Sequence, residues 1–212
     1  MRYIAVAVLV AVLSLALIAP QAAAQGLSKE QLGPPSWVVV GPVQNVRASD
    51  NQVIIQTDKG NLPLDISPTS KLRGANDQVL SLGDLKEGQR AVAAFHKTDS
   101  KNEVSYLYRP AKQEEGKGGL NPNAQTINAD ALGEAMPVIE GIVSDVNTKE
   151  RRLSVTTSQG AQPLEMTGDS KVYGSDLQQT SFGNIPQGQR VLVSFRQSGG
   201  KNEVRNLFML PG

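Results

Sequence analysis

Gly88-Gln89-Arg90 returns one hundred residues later as Gly188-Gln189-Arg190, and Lys101-Asn102-Glu103-Val104 returns as Lys201-Asn202-Glu203-Val204. Working outward at the same offset, Val38, Gly41, Val43 and Val46 fall on Val138, Gly141, Val143 and Val146. Gly60, Pro63 and Leu64 fall on Gly160, Pro163 and Leu164, and Ser70, Lys71 and Gly74 on Ser170, Lys171 and Gly174. In all, 23 of the 71 positions from Val38 to Tyr108 are identical, and no gap is needed. The chain therefore holds a duplicated unit of roughly 70 residues, long enough for its own small core, unlike a solenoid repeat that needs neighbours.

Within each unit the apolar pattern is that of short strands. The strands at 38–46 and 138–146 begin with β-branched residues, with Gly41 and Gly141 marking a bulge or bend. Second strands are predicted at 53–57 and 153–157, and third strands at 62–66 and 162–166, with Pro63 and Pro163 near their starts. Fourth strands follow at 91–95 and 191–195, and hairpins through Asp99-Ser100 or Gly199-Gly200 lead to fifth strands at 103–108 and 203–208. The polar stretch between the third and fourth strands has room for one helical turn. Five short strands with their longest connection there predict an all-β chain of two tandem, small, five-stranded OB-like β-barrels; a linear β-meander is the alternative.

The succession Gly-x-Val-x-x-Val at 41–46, Leu85-x-x-Gly-Gln-Arg before the fourth strand and the closing Asn102-Glu103-Val104 resembles a bacterial domain family of unknown function, predicted to be OB-like and common in exported proteins. The resemblance spans both units. It implies the fold and export, and brings no catalytic residues with it.

Outside the units the composition changes. Residues 1–24 read as a cleaved signal peptide: Arg2, an apolar run from Ile4 to Ile18, then Ala22-Ala23-Ala24 as the cleavage site, with Gln25 as the expected mature N-terminus. The run is shorter than the roughly 20 residues a spanning helix needs, and no later segment is apolar enough to cross a membrane. Residues 25–36 read as a disordered mature N-terminus and 37–110 as the first barrel. The polar stretch 111–136 reads as a flexible linker, with a short helix from Asn128, and 137–212 as the second barrel. With so polar a connection, the two barrels are expected to fold separately.

The composition also restricts function. There is no Cys and a single histidine, His96, which removes thiol chemistry and multi-histidine zinc sites; no metal or cofactor is expected. Without Arg2, the chain carries 20 basic and 20 acidic residues, so a nucleic-acid partner, which wants a basic stripe, is not expected. Ser198-x-x-Lys201 has the spacing of serine–lysine hydrolases, but Gly199-Gly200 makes it a hairpin. His96 and its equivalent Arg196 are placed to pair across strands with Glu103 and Glu203. The Gly-Gln-Arg repeat reads as a turn that the fold needs. Aromatic residues on the fourth and fifth strands are assigned to the barrel cores.

Two ligand-binding candidates are left. Trp37, just before the first strand, is either a stacking residue for a sugar or peptide or a lid on the barrel. Lys149, Arg151 and Arg152 make a local basic loop in the second unit, suited to an acidic polysaccharide or anionic lipid. The sequence therefore predicts an exported, non-enzymatic binding or structural module of the cell envelope, with an envelope protein or polysaccharide as partner. A periplasmic carbohydrate- or peptide-binding receptor is the alternative.

Overall fold

A computed structural model describes residues 32, 34–57, 59–110 and 135–210. The expected signal peptide, most of the linker and the helix start at Asn128 lie outside these residues. The first unit comprises β1 (Trp37–Arg47), β2 (Gln52–Thr57), β3 (Gly60–Arg73), β4 (Arg90–Lys97) and β5 (Asn102–Tyr108). They close in the order β1-β2-β3-β5-β4, antiparallel except for the parallel β3–β5 pair. In the second unit, β6 (Val138–Asn147), β7 (Arg152–Thr157), β8 (Gly160–Tyr173), β10 (Arg190–Ser198) and β11 (Lys201–Met209) repeat that order, closed by β11 on β8. A two-residue strand, β9 (Gln179–Thr180), is added to the end of β8. Both units are thus closed five-stranded barrels.

The third strands are much longer than the sequence predicts, because each one bends instead of ending. β3 pairs with β2 as far as Asp65, then shifts register between Ile66 and Lys71 while it passes to β5. At the bend the Ser70 hydroxyl donates to the Val104 carbonyl at 2.5 Å and accepts from the Ser67 amide at 2.9 Å. Ser170 does the same with Val204 and Thr167, at 2.6 and 2.8 Å. A serine satisfies the backbone groups that the register shift would otherwise orphan. Asn102 and Asn202 donate to the carbonyls of Pro63 and Pro163, tying the fifth strand to the third.

Gly41 and Gly141 serve close approach. A Cβ on either would collide with the β2 or β7 backbone, at the Gln56 or Thr156 carbonyl oxygen. The bulge itself lies two residues on, between Val43 and Asn45 and between Val143 and Asp145. The Gly-Gln-Arg turn fastens it: the Gly88 amide donates to the Val43 carbonyl, and the Val43 amide to the Gln89 carbonyl, at 2.8 and 2.7 Å. Gly188, Val143 and Gln189 repeat both bonds, and each turn glycine has φ +80. That left-handed conformation favours glycine. The helical turn expected before the fourth strand is a 3-10 turn at Leu82–Asp84 and at Phe182–Asn184.

Each barrel has its own core, with Phe95 buried in the first and Phe195 in the second. A third apolar cluster lies between the barrels and corrects two expectations. It joins Val38, Val40, Val92, Ala94, Tyr106 and Tyr108 to Tyr173, Leu177, Leu192, Phe208 and Leu210. Tyr106, Tyr108 and Phe208 therefore belong to the contact between the barrels and not to barrel cores. Nor do the barrels lack contacts to join them, since outward faces of β1, β4 and β5 pack on those of β10 and β11. Order also reaches into the segment expected to be a disordered N-terminus. Leu32 is buried with the core of the second barrel, and Ser36 exchanges two backbone hydrogen bonds with Met136.

Candidate functional site

Trp37 opens β1 and pairs with Phe95 across β4. The two rings stack at 6.0 Å between centroids, and the Lys97 ammonium lies 4.8 Å from the indole centroid, a cation–π contact. The indole is half-buried and touches both the first barrel's core and the cluster between the barrels. The ring lids Phe95, and part of it remains exposed. In the second barrel Pro137 occupies the equivalent position, and that barrel's core takes in Leu32.

The basic loop is less available than its sequence suggests. Arg151 turns back onto β8, its guanidinium donating to the carbonyls of Met166 and Thr167 at 3.1 and 2.7 Å. It also has φ 55, as its equivalent Asn51 has φ 52. Arg152 pairs with Glu150 and Glu165 at 3.3 and 3.2 Å, and Lys201 meets Glu165 from the hairpin side at 2.9 Å. Hydrogen bonding and attraction from Lys201, then Arg152, hold the Glu165 carboxyl below the ordinary glutamate range. The third base, Lys149, stands exposed at the hairpin tip.

The first barrel has a different surface at the same place. Gln52, Asp65 and Lys101 stand where the second barrel has Arg152, Glu165 and Lys201. Here, among the described residues, no ion network bridges the strands to the hairpin. A groove of about 490 Å³ opens instead, lined by Gln52, Asp65, Lys97, Asp99, Lys101 and Asn102 among others. The sequence reading missed it, because it depends on an absent salt bridge that only the comparison of Asp65 with Glu165 reveals.

A second cleft, of about 330 Å³, lies between the barrels, with Lys71 and Glu140 3.4 Å apart on its rim. Arg190 continues this polar end, reaching Glu140 in its own barrel and Asp77 in the other. Burial disfavours its charge, but the hydrogen bonds to Asp77 and Glu140 outweigh that and hold its pKa above the usual value. Within the second barrel's side of the contact, Tyr173 stacks on Phe208 at 4.9 Å. Burial pushes Tyr173 up to about 12 and raises Tyr106 and Tyr108 further. His96 meets Glu103 at 3.5 Å, the cross-strand pair expected, and Ser198 faces Lys201 across the Gly199-Gly200 hairpin. No group of three metal-ligating side chains occurs among the described residues.

No protein-family profile and no curated protein matches the chain. The bacterial domain family suggested by the motifs therefore rests on those motifs alone. Solved structures do match in shape. Apo-CusF of Escherichia coli is 14% identical over 40% of this chain and 96% of its own, with a TM-score of 0.29. A murine DNA-binding protein, solved with double-stranded DNA, is 7% identical over 84% of this chain and 100% of its own, with a TM-score of 0.26. The p204 HINb domain is 8% identical over 84% and 96%, with a TM-score of 0.27. The two OB-like barrels are read from the chain's own strand order and closure.

Proposed function

We propose that this protein is an exported, non-enzymatic binding or structural module of the cell envelope. The observation that carries the reading is the use made of the polar residues common to both units. Ser70 and Ser170, Asn102 and Asn202, and Gln89 and Gln189 all bond backbone groups that the barrel must satisfy. What was duplicated is a scaffold, and recognition falls to the surface positions where the copies differ. The leader-like residues 1–24 support export, and the balanced charge gives no general attraction to polyanions.

The test is fractionation of cells that express the native chain, with intact mass of the exported form and capture on that form of solubilised envelope components. The expected mass begins at Gln25, and the expected captured material is envelope protein or glycan. A protein that stays in the cytoplasm with Met1 in place overturns the export reading. Turnover of a substrate panel overturns the non-enzymatic one.

A further inference from the structure

We propose that the cleft between the barrels binds a free apolar α-amino acid as its zwitterion; the inference rests on the binding-module reading above and gives that module a small ligand. The cleft, of about 330 Å³, is lined from β3, β4 and β5 of the first barrel and from β6 and β10 of the second. Its volume lies at the small end of the roughly 300–1,000 Å³ of ligand sites. Val104, Val138 and Leu192 supply apolar lining, and Lys71, Glu140 and His96 supply polar groups. His96 turns Nε2 to the Glu103 carboxylate at 3.5 Å, while its Nδ1 is buried with no hydrogen-bond partner. In the neutral ring the proton belongs on the nitrogen that faces the carboxylate, so Nδ1 keeps a lone pair that a ligand donor would satisfy.

The duplicated positions are built otherwise. Arg205 and Asp169 pair at 3.5 Å where the first barrel lines the cleft with Ser105 and Thr69. Arg196 replaces His96, and Val40 stands where Glu140 does. Small hydroxyl side chains, an unpartnered ring nitrogen and a carboxylate thus come together at one of the two equivalent places only.

A zwitterion with an apolar side chain uses all of these groups. Lys71 is largely exposed, and such an ion pair as it makes with Glu140, at 3.4 Å, contributes little, so its ammonium is free to take the ligand's carboxylate at small cost. Glu140 accepts from Arg190 through Oε1 and from Lys71 through Oε2. A carboxylate has about four lone-pair positions, so Glu140 still has room for the ligand's ammonium, and His96 Nδ1 is a second acceptor for it. The side chain then packs on Val104, Val138 and Leu192. A ligand with a carboxylate alone would meet the like charge of Glu140, and one with an ammonium alone that of Lys71.

His96 is the sole histidine of the chain, so its imidazole resonances report on this cleft without ambiguity. The untagged full chain from Gln25 is titrated by NMR at constant pH with L-leucine, L-methionine and L-phenylalanine up to millimolar concentration. The comparison ligands are 4-methylpentanoate and 3-methylbutylamine, each lacking one end of leucine, and the dipeptide Leu-Leu. The expected result is a saturable shift of the His96 ring signals with at least one amino acid, and a Kd weaker by about tenfold or more for the one-ended ligands. Lys71→Ala is expected to weaken binding about tenfold, and Ser105→Arg to abolish it. Lys171→Ala, the change at the equivalent lysine of the second barrel, should leave the Kd as in the parent, with circular dichroism showing each variant folded. Should Ser105→Arg unfold, Lys71→Ala carries the test. No saturable shift with any of the three amino acids overturns the proposal, as does equal binding of a one-ended ligand, tighter binding of the dipeptide, or a Kd indifferent to Lys71. If the amino acids fail while envelope components are still captured, the module function stands without this site; if they bind while nothing is captured, the site stands and the envelope role falls.

Discussion

The two barrels share a backbone plan and differ in what covers it. In the second, the face made by β7, β8 and the β10–β11 hairpin is laced by Glu165 with Arg152 and Lys201, and Arg151 is folded onto β8. In the first, the same face is open, and one of the cations lining it, Lys97, rests on an indole. The difference teaches that a charged residue counted in a sequence is not thereby a charge offered to a partner. The unit with more bases in its loop is the one whose bases are already engaged.

The largest way to break the comparison is at the surface where the barrels meet. Truncating Phe208 to Ala, a ring stacked on Tyr173 and fully buried, is expected to cost about 3–5 kcal/mol in denaturant unfolding. The parent chain should unfold in one transition seen alike by Trp37 emission, which reports the first barrel, and by circular dichroism. Two separated transitions would mean that the shared cluster does not couple the barrels.

A smaller effect sharpens the likeness instead. Gly41→Ala and Gly141→Ala each press a methyl group against a carbonyl of the neighbouring strand, and each is expected to cost about 1–3 kcal/mol by the same measurement. Because the two collisions are alike, the two losses should be alike. A loss confined to one copy would show that the β1 and β6 contacts are not equivalent.

The smallest effect is one of pH. Apart from Tyr3, every tyrosine in the chain, namely Tyr106, Tyr108 and Tyr173, lies in the cluster between the barrels. Burial raises all three pKa values, so the folded form holds them protonated where the unfolded chain would ionise, near pH 10. Their contribution to stability is complete below that pH and is lost as pH rises through the raised values, for Tyr173 about 12. Tyrosinate absorbance should therefore lag behind that of the denatured chain, and the lag should shrink in Phe208→Ala. Superposed titrations of native and denatured chain would place the tyrosines in water.

Much of the fold was legible because the duplication exposed it. Positions such as Ser70, Asn102 and Gly88 recur because strand bends and turns need them. The contact between the barrels was written in the sequence but read too simply. Val38-Val39-Val40 and residues 91–95 are apolar at every position, as strands buried on both faces are, and a barrel with one face in water would alternate. The bends of β3 and β8 were missed because Ser67–Ser70 and Thr167–Ser170 are polar and look like loops, although their side chains act as backbone partners. At the candidate sites, Trp37 was singled out as the aromatic just before the first strand. The groove beside it was not, since openness is a property of residues that fail to meet.

Val38 and Val138, Val92 and Leu192, and Tyr108 and Phe208 are equivalent positions that meet in one interface, the arrangement of a two-fold dimer made from a single kind of subunit. In a true homodimer every substitution arrives twice, so an acidic residue placed on one side must also appear on the other. Joining two copies in one chain lifts that constraint. Glu140 stands where the first barrel has Val40, and Tyr173 where it has Arg73, so Arg190 meets two carboxylates and Tyr173 stacks on Phe208. The covalent connection thus does more than hold two domains near each other: it permits equivalent positions that meet in one interface to carry different chemistry.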